Sequence, residues 1–116
     1  MKRLLSFFAV VVLLGAQSLQ AQWIQTNGSY GGYVTCFAVN GSNLFAGTIG
    51  NNFNMRGSGV FLSTNNGTNW TAVNTGLPTR TTVWSLAVNG SNLFAGTDDG
   101  GVWRRPLSEM VNETGR

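Results

Sequence analysis

Ala38 to Thr48 reads AVNGSNLFAGT, and Ala87 to Thr97 reads AVNGSNLFAGT. Eleven consecutive identities at an offset of 49 residues are an internal duplication. A repeat of this kind constrains the fold strongly, because each copy is one supersecondary unit that cannot bury its apolar face alone. The match continues loosely upstream, with Val34 against Val83 and Phe37 against Leu86. Downstream it resumes as Gly59-Val60-Phe61 against Gly101-Val102-Trp103, now at an offset of 42. The second copy is seven residues shorter between these points: ten residues separate Thr48 from Gly59, and three separate Thr97 from Gly101.

Each unit reads as a run of strands. Val34–Val39 is a short, mostly apolar strand, and Leu44–Gly47 is its return. Asn40-Gly41 between them predicts a type I′ hairpin turn, which needs positive φ at both central residues. Gly59–Ser63 predicts a third strand, Asn66-Gly67 another tight turn, and Trp70–Val73 a fourth strand. Asn74-Thr75-Gly76-Leu77-Pro78 breaks the chain before the next unit. That unit supplies Val83–Val88, Leu93–Gly96 and Val102–Arg104, with its fourth strand missing or degenerate in Pro106–Arg116. No sustained 3.6-residue apolar period occurs after the N-terminal segment. Four strands at a period near 45 residues predict antiparallel propeller blades, an all-β class. The first blade spans about 34–73 and the second about 83–105. Trp23-Ile24-Gln25 stands ahead of Val34 as Trp70-Thr71-Ala72 stands ahead of Val83, so residues 23–25 predict an orphan fourth strand.

The N-terminus reads as an export signal and not as fold. Lys2 and Arg3 precede an apolar run over Leu4–Gly15, and Leu19-Gln20-Ala21 offers a cleavage site before Gln22. The run is shorter than the roughly 20 residues of a spanning helix. Residues 1–21 are therefore assigned to a signal peptide, 22–107 to the repeats and 108–116 to a C-terminal tail, in a secreted or cell-surface protein with no membrane segment after cleavage. Seven basic residues less Lys2 and Arg3 leave five, against four acidic ones, a net charge of +1. Binding nucleic acid calls for a clustered basic face, and only Arg104-Arg105 hints at one. Cys36 is the single cysteine, so an internal disulfide is excluded, and it is expected to be buried and inert.

Ser63-Thr64-Asn65-Asn66-Gly67-Thr68-Asn69-Trp70 resembles an Asp box, the S-x-D-x-G-x-x-W turn between the third and fourth strands of a blade. That family spans bacterial sialidases, sortilin-type receptors, photosystem assembly factors and many secreted bacterial proteins. The resemblance covers the chain from Gln22 to about Leu107, and departs from the motif at Asn65, where Asp is usual. The residue types suit structural roles. The Asn65 side chain can bond its own turn backbone. Gly67 tolerates positive φ. Trp70 can pack under the turn and bury on the order of 150–250 Å². The resemblance implies that the Asp box, Ser63, Asn65, Gly67 and Trp70, lies on the face opposite the ligand side and serves as scaffold. A calcium role for Asn65 is not expected, because cation sites favour carboxylates.

The resemblance further implies that loops between strands two and three, and those joining blades, share the ligand face. Here that face would collect 26–32, 49–58, 74–82 and 98–100. Its candidate binding residues are Tyr30, Phe53, Arg56, Arg80, Asp98 and Asp99. Phe53 and Arg56 lie in the longer loop of the first unit, where variation tends to carry function. Asp98-Asp99-Gly100-Gly101 also reads as a plain hairpin turn.

A sialidase-like hydrolase would need a tyrosine nucleophile, a carboxylate to activate it and an acid/base group. Arg56 and Arg80 could clamp a carboxylate. However, no Glu precedes Glu109, and Asp98 and Asp99 are neighbours that cannot flank a substrate bond. With no His, neither a Ser-His triad nor a Cys/His zinc site can form. The expectation is a non-enzymatic protein without cofactor or metal, in a binding or structural role, with a glycan or protein as ligand. A pocket lined by Trp and Arg would favour sugar binding; a flat polar face would favour a structural role. Trp84 and Trp103 could serve as aromatics for sugars or peptides, but both lie in strands and read first as blade-packing residues.

Two blades alone leave two outer faces wet, and each large apolar side chain left exposed forgoes roughly 1.5–3 kcal/mol. The chain is therefore expected to be part of a longer propeller. The alternative is a two-blade, lectin-like subunit whose copies close a ring; the remnant of a sialidase-like hydrolase is a third reading.

Overall fold

The computed structural model describes residues 21–26, 33–50, 57–98 and 100–114. The chain is mostly antiparallel β, in two small open sheets. Sheet 1 has the order β1 (Tyr33–Asn40), β2 (Asn43–Ile49), β3 (Val60–Ser63) and β4 (Thr71–Ala72). Sheet 2 has the order β5 (Val83–Asn89), β6 (Asn92–Thr97) and β7 (Val102–Pro106). Every strand read from the two repeats is present, and each pairs with its neighbour in sequence.

The duplication extends to backbone detail. The β1–β2 and β5–β6 registers shift at the same repeat position, past Thr35 and past Trp84. Both hairpins close one residue later than the Asn-Gly signal predicted. Asn40 pairs with Asn43 and Asn89 with Asn92, so the loop residues are Gly41-Ser42 and Gly90-Ser91. Only the glycines have positive φ, 61° and 63°. One positive φ at the first loop position is the type II′ pattern and not type I′. The asparagines keep extended backbone and remain in the ladder.

Alternation along the strands sends one face of each sheet inward. Cys36, Ala38, Phe45, Val60 and Leu62 from sheet 1 meet Leu86, Val88, Leu93 and Ala95 from sheet 2, with Val83 between. Gly47 makes the approach close: a β-carbon there would lie 2.7 Å from Val83 Cγ1. Thr35 Oγ1 donates to Val83 O at 2.5 Å, tying β1 to β5. Cys36 is half-buried in this packing and not fully enclosed.

After β7 the chain turns into a helix, α1 (Leu107–Thr114), where a tail was expected. Leu107 and Met110, one turn apart, are buried against the core, and Leu107 N–H donates to Ser91 O at 2.9 Å. Glu109 in the first turn suits the positive end of the helix dipole. The predicted orphan strand is not paired in this chain: residues 21–26 are irregular and Trp23 is fully exposed. Among the described residues no helix is long and apolar enough to cross a membrane.

Candidate functional site

Of the loops expected to share one face, 49–58, 74–82 and 98–100 meet through residues 57–58, 81–82 and 98, while 27–32 lie outside the described residues. The hydroxyls of Thr48 and Thr82, both buried, sit at the joint. Ser58 N–H donates to Thr48 Oγ1 at 2.9 Å, and Gly57 N–H donates to Thr82 Oγ1 at 3.1 Å. Gly59 N–H reaches Thr81 O at 3.1 Å, and Asp98 N–H reaches Thr82 O at 3.3 Å. These bonds stitch three loops together and give buried backbone donors partners that no strand supplies. Arg80 and Asp98 are exposed at this end, Arg80 with φ of 63°. Tyr30, Phe53, Arg56 and Asp99 lie outside the described residues. Between β6 and β7, Thr97 N–H donates to Gly101 O at 3.0 Å, with Gly100 and Gly101 at positive φ.

The turn from Ser63 to Trp70 lies at the other end of sheet 1. Ser63 pairs with Leu44 beside the hairpin, while Val60 pairs with Gly47 toward the loops. Ser63 Oγ, fully buried, is the hub. It donates to Asn65 Oδ1 at 3.0 Å and accepts from Gly67 N–H at 2.7 Å. Asn65 Oδ1 also accepts from Asn69 N–H at 3.0 Å. Only a carbonyl-type oxygen is required there, so Asn can stand in for Asp. Asn66 and Gly67 take positive φ, 61° and 88°. Trp70 is half-buried, its ring 6.4 Å from that of Phe37, and its Nε1 donates to Thr26 Oγ1 at 3.4 Å.

A cleft of about 280 Å³ opens between the outer strands of the two sheets. Val60, Val73 and Leu77 line one wall; Leu93, Trp103 and Met110 line the other. Its size is near the lower bound of small-ligand pockets. Arg105 also borders it, with Nη1 donating to Val73 O at 3.1 Å and Nε 3.8 Å from Glu109 Oε1. The Trp103 indole N–H is buried and meets no acceptor among the described residues. Such a group is costly, by about 1–3 kcal/mol. The sequence allows Trp103 a binding role but places it first in blade packing, and does not locate the cleft. The available signal was alternation, which puts Trp103 and Arg105 on one face of β7.

No protein family's sequence profile matches the chain, and no curated protein or solved structure matches it.

Proposed function

We propose that this chain is a secreted, non-catalytic binding module, two units of an Asp-box β-propeller that belong to a larger repeat assembly. The observation that carries the reading is the Ser63-centred turn. Ser63, Asn65 and Gly67 each take the structural role that the motif implies, inside a unit that is then repeated. The stacking of the two sheets through their first strands further supports it. Export, absence of a cofactor and absence of a nucleic-acid partner belong to the same proposal. The exported chain should begin at or near Gln22, which N-terminal sequencing would read. An intact leader on the exported protein would overturn the secretion part.

One observation favours a second reading, a lectin-like subunit. The cleft is lined by the Trp103 side chain, with the Arg105 side chain at its border. Aromatic faces next to hydrogen-bonding groups suit sugars. Titration with methyl glycosides, read by tryptophan fluorescence, should saturate with at least one of them and lose that response in Trp103→Phe. No saturable response to any glycoside in the panel would leave the structural role as the reading to pursue.

A further inference from the structure

Each sheet has an inner and an outer face, and the repeat relates them crosswise. The inner face of sheet 1 corresponds to the outer face of sheet 2. Gly47, Phe45 and Val60 correspond to Gly96, Phe94 and Val102. The inner face of sheet 2 corresponds to the outer face of sheet 1. Leu86, Val88 and Leu93 correspond to Phe37, Val39 and Leu44.

Burial differs systematically between these equivalents. Val60 is 3% exposed and Val102 71%. Val83, which covers Gly47, is 0% exposed, while its equivalent Val34 is 45% exposed. Among the described residues, a β-carbon built on Gly96 would meet only Ser85 of its own sheet, whereas one on Gly47 would also meet Val83 of the other sheet. Phe37 and Val39 are 58% and 64% exposed. The chain thus makes one sheet-on-sheet contact and, among the described residues, leaves Val102 exposed on one half of a second and Val34, Phe37 and Val39 on the other, where Ala46 is already covered and Phe37 packs on Trp70.

We propose that a second copy of this chain docks head to tail. The outer face of sheet 2 on one copy seats the outer face of sheet 1 on the next, with Val34 of the second copy covering Gly96 of the first. The occupant is argued from continuity with the contact already made inside the chain, since the complementary halves carry the same eleven-residue sequence. The new contact is not identical to the first: Ser85 stands where Cys36 stands in the first unit, Arg104 where Leu62 stands, and Phe37 where Leu86 stands in the second. A contact between two different faces is heterologous, so it closes into a ring when the rotation allows. The inference rests on reading the chain as an interaction module, yet it does not depend on the cleft.

The test is the mass in solution of the purified full chain, by light scattering, for the unaltered protein and two variants. Val39→Asp spoils the outer face of sheet 1, and Val102→Asp that of sheet 2. Both sites are exposed in the single chain, so circular dichroism should be unchanged. The unaltered chain should give a discrete oligomer. Each variant alone should fall to the mass of one chain. An equimolar mixture of the two should rise to twice that mass, because one good face remains on each partner. A monomeric unaltered chain overturns the proposal. So does either variant keeping the parental mass, or a mixture that stays monomeric. The glycoside titration of the cleft is read separately, since neither variant touches its lining.

Discussion

Val83 occupies the space that a β-carbon on Gly47 would need, its Cγ1 2.7 Å from that position and Cys36 Sγ 2.6 Å from it. Val83 cannot yield cheaply, because it is fully buried and tied to Thr35 through its carbonyl. Gly47→Ala should therefore lower stability by about 1–3 kcal/mol, as overpacked cores do. The readout is the urea midpoint. Gly96→Ala meets only the Ser85 side chain, whose hydroxyl can rotate away, and should change the single chain's stability by less than about 0.5 kcal/mol. Equal losses at the two glycines would contradict this account of the interface.

The Ser63 hub predicts opposite effects from two substitutions. Ser63→Ala removes the acceptor of Gly67 N–H in a buried turn and should cost about 1–3 kcal/mol. Asn65→Asp keeps the acceptor and adds a charge facing the Ser63 hydroxyl and Asn69 N–H. Charge-assisted bonds are the stronger kind, so a gain of about 0.5–1 kcal/mol near neutral pH is expected. Thermal unfolding of both variants, side by side, checks the pair. A destabilised Asp variant would mean that the turn requires the Asn amide.

Helix α1 is held mainly by two side chains. Met110→Ala should cost about 2–5 kcal/mol, the usual range for a buried large-to-small change. Val111 on the same turn is 38% exposed, and Val111→Ala should cost clearly less than Met110→Ala. Denaturant titration compares them. Similar small effects would show that the helix contributes little to the core.

The buried indole N–H of Trp103 predicts an unusual result for a core aromatic. Trp103→Phe keeps much of the apolar surface and deletes a donor that lacks an acceptor. The two effects oppose, so stability should fall by less than about 1 kcal/mol, against the 3–5 kcal/mol typical of aromatic-to-Ala changes. A loss in the upper range would place an unseen acceptor at Nε1.

Much of the local structure was legible in the sequence. Strand positions followed from short apolar runs between Gly and Asn signals, and the turn at 66–67 formed where it was read. The hairpin at Gly41 was located but mistyped, because Asn-Gly and Gly-Ser are both turn signals and the ladder decides which pair forms the loop. The helix at Leu107–Thr114 escaped notice. Its apolar positions, Leu107, Met110 and Val111, are too few to establish a period. Of the candidate ligand residues, Arg80 and Asp98 are brought to one end by the Thr48 and Thr82 bonds, which join residues far apart in sequence.

The sequence by itself determined the duplication, the antiparallel strand order and, to within a residue, where the turns fall, since each depends on neighbours within a few positions. Tertiary structure alone decided which face of each sheet is inside. Phe37 and Val39 are as apolar as Ala38 and Phe45, so alternation marks two candidate faces without choosing between them. The choice came from contact between sheets: Val83 fits against Gly47, and none of the described residues does the same for Gly96. The cleft beside Trp103 arises the same way, as the space left where two separately specified sheets and a short helix meet.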